Sequence, residues 1–304
     1  MGKIAVVFPG QGSQKVGMGR ELYETTSVGK ELFDRADALL GFPISKLCFE
    51  GPDVDLNRTD NTQPAIFTVS LIAWTLLAER GIKPVAMAGH SLGEYSAMVA
   101  SGVMSFEDGL RTVRRRGELM AQGEAAGAGG MVVVLGLTSE AVTELCRDAS
   151  DAGVVEVANY NSPEQTVISG ELPALERAIT LAKERGAKRA LKLNVSAAFH
   201  SSLMKPVAHE MAEVLAAVSM DAPRLPVVAN VTADFVRTPE EIRDALVRQV
   251  AGSVRWTDSI RRLAEEGIEA TVEAGPGKVL TGLTPRIVPG MTGMDTAEAL
   301  LISW

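Results

Sequence analysis

The stretch that constrains this chain most runs from Val85 to Tyr95, where an apolar segment meets a helical one across Gly89-x-Ser91-x-Gly93. Residues 85–88 (VAMA) are short and apolar and read as a buried strand. From Glu94 on, Tyr95, Met98 and Val99 recur at helical spacing. A chain that passes from strand to helix so abruptly has no room for a Cβ on either side of the turn, so glycine flanks it. Ser91 is then held on a tight elbow with its hydroxyl exposed. The helix that follows aims its unpaired N–H groups and positive dipole end at that hydroxyl, a setting suited to an oxyanion. In a chain with 29 glycines a chance Gly-x-Ser-x-Gly would be unremarkable in a loop; the strand before and the helix after set this one apart.

A length of 304 residues leaves room for one large or two modest domains, and 46% apolar with 22% charged residues describe an ordinary globular core. No apolar run nears the ~20 residues of a membrane span. The segment Ile4 to Phe8 reads as a first strand, not an export signal. Cys48 and Cys146 lie far apart and are expected to be reduced. A net charge of −8 without a long basic stretch speaks against nucleic acid as a partner. The expectation is a cytoplasmic, monomeric protein that engages neither membrane nor nucleic acid.

Along the chain, residues 3–8 form the first strand, followed by the turn Pro9-Gly10-Gln11-Gly12-Ser13-Gln14. A dinucleotide fingerprint needs a third glycine where Lys15 stands, so that reading fails. The loop either brings a backbone N–H such as that of Gln11 close to a ligand or merely connects strand to helix. One amphipathic helix is expected over 21–40 and another from Pro64 to Arg80, apolar on nearly every side. A third, over 105–122, has Phe106, Leu110, Val113, Gly117 and Met120 as its inner stripe. Arg115 points away from that stripe, while Arg114 and Arg116 flank it on opposite sides. Periodicity does not choose between those two, and charged heads beside an apolar seam usually reach out to water.

Residues 123–130 (GEAAGAGG) read as a flexible linker. The order then becomes strand 131–137, helix 139–149, strand 154–159, strand 165–169, helix 171–186 and strand 188–193, with Asn159 to Pro163 as the turn between the middle strands. That βαββαβ order is the ferredoxin-like unit, expected over 125–193 as an insertion in a discontinuous domain of 1–124 and 194–304. A helix near 203–218, a strand at 225–229, helices near 239–251 and 257–266 and a strand at 269–274 complete the larger part. Strands and helices alternate at both ends, giving an α/β fold with a parallel, helix-flanked sheet.

A serine hydroxyl needs a base. Of the three histidines, His90 adjoins Ser91 and cannot easily fold back onto it, and His209 falls inside a helix. His200 follows a strand in a loop at the domain boundary, where functional side chains collect, and is the expected base. Three scattered histidines and two distant cysteines lack metal-ligand spacing, so no metal is expected.

Gly10-Gln11-Gly12-Ser13-Gln14, Gly89-His90-Ser91-Leu92-Gly93-Glu94, Arg116-Gly117, Ala198-Phe199-His200-Ser201, Gln249 and Gly275-Pro276-Gly277-Lys278-Val279-Leu280 appear in the order seen in the malonyl-CoA:acyl-carrier-protein transacylases. The chain resembles that family over essentially its whole length. The resemblance implies an α/β-hydrolase-like domain with the inserted ferredoxin-like unit, and a ping-pong acyl transfer. Malonyl would pass from malonyl-CoA to Ser91 and on to the phosphopantetheine thiol of an acyl carrier protein, with no cofactor. His200 is then the base, oriented by the backbone carbonyl of Gln249, and the N–H groups of Gln11 and Leu92 form the oxyanion hole. Arg116 is the family's anchor for the malonate carboxylate, which decides between Arg114 and Arg116.

Phe199 resembles the form seen in malonyl-selective polyketide acyltransferases, where it crowds a methyl branch; Leu92, where branched-chain selectors often carry Gln, agrees. Fatty-acid synthesis and a polyketide assembly line therefore both remain as destinations. A serine hydrolase using Asp148 or Asp151 as third member is a rival, as is a non-catalytic carrier-binding module. Without a carboxylate beside it, His200 is expected near the ordinary imidazole value of ~6.5. Two basic groups, Arg111 with Arg114 and Arg115, and Lys183, Arg185, Lys188, Arg189 and Lys192, are candidate docking sites for an acidic carrier.

Overall fold

The computed structural model describes residues 2–125, 129–195 and 197–302. Its strands are β1 (Lys3–Phe8), β2 (Ala86–Gly89), β3 (Gly129–Leu135), β4 (Val155–Ser162), β5 (Gln165–Glu171), β6 (Arg189–Lys192), β7 (Val227–Val228), β8 (Phe235–Val236), β9 (Ile268–Glu273) and β10 (Thr292–Asp295). They make two sheets. The first has the order β10-β9-β1-β2-β7-β8 and is parallel except for β8, which pairs antiparallel with β7 at one edge. The second has the order β4-β5-β3-β6 and is antiparallel throughout. The architecture is mixed α/β, with helices between and against the sheets.

Burial on both faces explains why β1 and β2 are apolar without alternation. Ile4, Val6, Phe8 and Met87 face the core formed with the helices Thr59–Glu79 and Leu92–Ala100. Ala5, Val7, Ala86 and Ala88 face the helices Trp256–Glu265 and Val279–Ile287. The register pairs Phe8 with Gly89, so the loops leaving β1 and β2 emerge side by side at the carboxyl edge of the sheet. That edge is where open parallel sheets place their ligands. In the second sheet, Val132, Val134, Val155, Val157 and Ile168 pack on the helices Ser139–Ala149 and Leu172–Glu184.

β4 is also fastened to the first unit. Val254 donates its N–H to the Ala158 carbonyl at 2.8 Å, Tyr160 donates to the Val254 carbonyl at 2.9 Å, and the Thr257 hydroxyl donates to the Tyr160 carbonyl at 3.0 Å.

Several expected boundaries shift. The helix expected over 21–40 is two, Arg20–Thr25 and Ser27–Leu40, because Thr26 is extended and caps the second with its side chain. The helix expected from Pro64 starts at Thr59, leaving Pro64 inside it. Proline cannot donate to the carbonyl four residues back; that carbonyl, on Asp60, accepts instead from Arg114 Nη1 at 2.7 Å. The third helix, Phe106–Ala125, runs into the expected linker 123–130 and β3 begins at Gly129; 126–128 lie outside the described residues. Asn159 to Ser162 continue β4 and are not a turn. Beyond the strand at 269–274 the chain adds the helix Val279–Ile287 and β10. Among the described residues no helix is long and apolar enough to cross a membrane.

Candidate active site

At the end of β2, Ser91 adopts φ 51° and ψ −108°, a backbone state that costs a non-glycine residue about 1–3 kcal/mol and has to be held by its surroundings. The flanking glycines allow it: a Cβ on Gly89 would overlap the Gly93 carbonyl, and one on Gly93 would overlap the Phe8 carbonyl. Asn230, just past β7, locks the elbow. Its Oδ1 accepts the Ser91 N–H at 2.8 Å and its Nδ2 donates to the Gly89 carbonyl at 2.6 Å.

His200 comes from the segment that leaves the second sheet, also at positive φ, 58°. Its Nε2 lies 2.8 Å from Ser91 Oγ, and its Nδ1 donates to the main-chain carbonyl of Gln249 at 2.8 Å. A donor at Nδ1 leaves Nε2 as the acceptor for the serine proton. Burial and the nearby Arg116 charge push the His200 pKa down to about 3. The expected ordinary value does not hold, because burial acts on the imidazolium more strongly than the missing carboxylate suggested. His90 does turn away from Ser91: its Nε2 is 2.8 Å from Asn161 Oδ1 on β4. His209 is exposed on the helix Lys205–Ala216.

The helix Phe106–Ala125 delivers Arg116 to the same hydroxyl. Gly117 permits the approach, since a Cβ there would sit 2.8 Å from the Asp60 Cα on the facing helix. Arg116 is 1% exposed. Its Nη2 donates to Ser91 Oγ at 3.2 Å and Gln249 Oε1 at 2.9 Å, its Nη1 donates to Gln63 Oε1 at 2.8 Å, and its guanidinium lies 5.4 Å from the Tyr95 ring centroid. Arg114 takes the ordinary course outward, over the Phe42 ring and onto Glu118. Arg115 is on the outer face, paired with Glu118 and Glu210.

Gln249 ties these groups together. Besides its carbonyl on His200 and its Oε1 on Arg116, its Nε2 donates to the Ser91 carbonyl at 2.8 Å and to Glu94 Oε2 at 2.7 Å. Glu94 is fully buried and also accepts the Asn230 N–H at 3.2 Å; burial pushes its pKa up to about 7. Sequence reasoning missed Glu94, Gln63 and Asn230 as parts of this site. Their one signal was polarity in stretches otherwise apolar enough to be buried.

Gln11, Leu92, Asn159 and Phe199 line the cavity of about 110 Å³ over Ser91, together with Arg116 and His200. The Gln11 side chain donates to Thr59 Oγ1 at 3.2 Å. A larger hollow, about 670 Å³, lies beside Tyr160 and the helix Trp256–Glu265, but it contains neither Ser91 nor His200. Among the described residues no group of three or more His, Cys, Asp or Glu is arranged to hold a metal ion.

Asp148 and Asp151, the acids of the hydrolase alternative, pair with Arg185 and Arg177 on the surface, and the Nδ1 of His200 is taken by Gln249. The basic groups are not open fields of charge either. Arg111 pairs with Asp108, Lys188 with Glu164 at 3.1 Å, and Lys192 with Glu176.

Residues 5–298 match the family model described as acyl transferase domain. The chain is 47% identical over 288 residues to the malonyl CoA-acyl carrier protein transacylase of Bacillus subtilis, covering 94% of this chain and 91% of that protein. It superposes on the acyl carrier protein S-malonyltransferase of Vibrio cholerae with a TM-score of 0.94 at 46% identity, over 96% of each chain. Against a malonyl-transacylase solved in complex with its type II PKS acyl-carrier protein the TM-score is 0.96 at 42% identity, over 99% of this chain and 98% of that one. An elbow serine, a buried histidine and a buried arginine meeting at one hydroxyl, in a chain this similar to those proteins along its whole length, place it in a single group: the chain belongs to the malonyl-CoA:acyl-carrier-protein transacylase family of acyl transferases.

Proposed function

We propose that this protein moves a malonyl group from malonyl-CoA to the phosphopantetheine thiol of an acyl carrier protein by way of an ester on Ser91. One observation carries the reading: a base at 2.8 Å and a buried guanidinium at 3.2 Å converge on the same hydroxyl. A base alone would serve any acyl group. A buried guanidinium beside it suits an acyl group that carries its own carboxylate, which the planar fork can take with two hydrogen bonds.

His200 Nε2 takes the Ser91 proton as Oγ attacks the thioester carbonyl. The oxyanion meets the backbone N–H groups of Leu92 and Gln11; the Ser91 N–H is already taken by Asn230. The carbon–sulfur bond breaks, and His200 returns the proton to the coenzyme A sulfur. In the second half the carrier thiol gives its proton to His200, attacks the ester carbonyl, and Ser91 leaves with the proton. The Gln249 carbonyl holds the ring in its tautomer throughout, and a neutral orienter suffices because a thioester is more reactive than an amide. No metal or cofactor enters this chemistry.

The relatives' names speak of malonyl and acyl carrier protein; as the destination we read fatty-acid synthesis in the cytoplasm. A polyketide assembly line is the second reading, favoured by Phe199 in the cavity wall. For the fold, we read the first sheet and its helices as an α/β-hydrolase-like domain, 1–124 and 194–304, and 125–193 as an inserted ferredoxin-like unit, which the β4-β5-β3-β6 order supports.

Intact mass after mixing with malonyl-CoA tests the function. A malonyl adduct is expected, absent in Ser91→Ala and discharged by an acyl carrier protein. An unmodified wild-type mass overturns the reading, and loss of the adduct to water as fast as to the carrier makes the protein a hydrolase.

A further inference from the structure

Arg116 is a buried cation whose acceptors are all neutral: Gln63 Oε1, Gln249 Oε1 and Ser91 Oγ. Among the described residues no carboxylate forms an ion pair with it. A buried charge needs compensation, and the carboxyl nearest in the hydrogen-bond network is Glu94, one amide away. Gln249 is the spacer. Both hydrogens of its Nε2 are committed, to the Ser91 carbonyl and to Glu94 Oε2, so its Oε1 has to face the guanidinium. The other Glu94 oxygen, Oε1, is buried without a hydrogen-bond partner. The polar groups facing Glu94 are Gln249 from the helix Pro239–Ala251, the Asn230 N–H from the loop after β7, Arg116 from the helix Phe106–Ala125 and, on its own helix, Tyr95.

We propose that Glu94 is a positioning residue for malonyl selection: it is the resident counter-charge of Arg116, kept one amide away by Gln249, and it sets how tightly Arg116 takes the carboxylate of the acyl group. The inference rests on the reading of Arg116 given above. A carboxylate bonded directly to Arg116 would block the fork. One held through Gln249 leaves only neutral acceptors on the guanidinium for the malonate to displace, yet still competes electrostatically with it. Malonyl binding therefore favours the protonated form of Glu94, and loading takes up a proton from solvent.

The sign follows from the direction in which Glu94 is shifted. Its pKa is raised to about 7, so at pH 6 it is mainly neutral and at pH 8 mainly charged. The wild-type KM for malonyl-CoA is expected to rise from pH 6 to pH 8. Glu94→Gln keeps an acceptor for Gln249 and Asn230 but not the charge. Its KM at pH 8 should be about five- to tenfold below wild type, the effect of roughly one unit of charge coupling, with kcat changed less than KM, and the two proteins should converge at pH 6. Equal KM values at pH 8, or KM and kcat moving together at both pH values, would make Glu94 merely structural and overturn the proposal. A measurement on the wild-type protein serves even if the variant does not fold. A pH indicator in weak buffer at pH 7 should register uptake of a fraction of a proton per site with malonyl-CoA and none with acetyl-CoA; no uptake with malonyl-CoA also overturns it. Arg116→Ala separates the two levels. If its malonyl-to-acetyl ratio is unchanged, the reading of Arg116 fails; if the ratio collapses while Glu94→Gln is silent, only the counter-charge is wrong.

Discussion

His200 leans on a main-chain oxygen: its Nδ1 sits 2.8 Å from the Gln249 carbonyl, where serine triads usually place a carboxylate. No side-chain substitution at 249 removes that acceptor, so the orientation of the base is built into the backbone. With burial and Arg116 holding His200 neutral down to about pH 3, the loading step should show no acid limb. Its kcat/KM for malonyl-CoA is expected not to fall between pH 7 and pH 5. A decline centred near the ordinary imidazole value of ~6.5 in stopped-flow loading would show that His200 is more hydrated than this.

The same shift enters stability. The unfolded imidazole takes a proton below pH ~6.5, whereas the folded one stays neutral to about 3. The unfolded state thus binds more protons in that window, and stability falls as pH drops through it. His90, lowered by burial, acts in the same direction. Glu94 acts oppositely: raised to about 7 from 4.5, it gains stability for the fold as pH falls between those values. Urea midpoints should therefore drop less between pH 6.5 and 4.5 in His200→Asn than in wild type. Equal drops would remove His200 from the balance.

Arg116→Ala should cut malonyl transfer about a thousandfold, the size of a desolvated charge pair of roughly 4 kcal/mol. Relative activity with acetyl-CoA should rise. Arg115→Ala, on the outer face, is the control and is expected to change neither; radiolabelled acyl transfer reads both.

Gly93→Ala tests the elbow. Its methyl would meet the Phe8 carbonyl in a packed sheet edge, and overpacking of this kind costs about 1–3 kcal/mol. A lower melting temperature and a loss of malonyl adduct at Ser91 are expected together. A variant with wild-type melting and loading would show that the edge between β1 and β2 yields easily.

Phe199, 5% exposed, forms part of the wall over Ser91. Phe199→Ala should raise loading of methylmalonyl-CoA relative to malonyl-CoA, at a cost of about 3 kcal/mol in stability. An unchanged ratio in competition assays read by intact mass would place selection elsewhere in the cavity.

The elbow was legible in the sequence because its cause is local: two glycines, a short strand and a helix within eleven residues. His200 was legible by elimination among three histidines. Arg116 was legible only through the family resemblance, because periodicity places Arg114 and Arg116 alike beside the seam, and what parts them is the close approach at Gly117 to a helix far away in sequence. Gln249 entered through the resemblance for its carbonyl alone; its side-chain bond to Glu94, and that of Glu94 to Asn230, were invisible for the same reason, since they span more than a hundred residues. The break at Thr26 and the short β10 escaped because a single extended residue or a four-residue strand hardly disturbs a periodic pattern.

The bonds that fasten β4 to residues 253–257 include main-chain ladder contacts on both sides of Val254. The second sheet is therefore no hinged cover, because swinging it outward would first have to strip those backbone pairs. Asn159 of β4 lines the pocket over Ser91, so this part of the wall is held by backbone bonds to the first sheet's side of the molecule. Under the proposed function, a thioester therefore meets this side of the pocket as a standing wall, and the pantetheine arm has to fit to it without a closing movement of the second sheet.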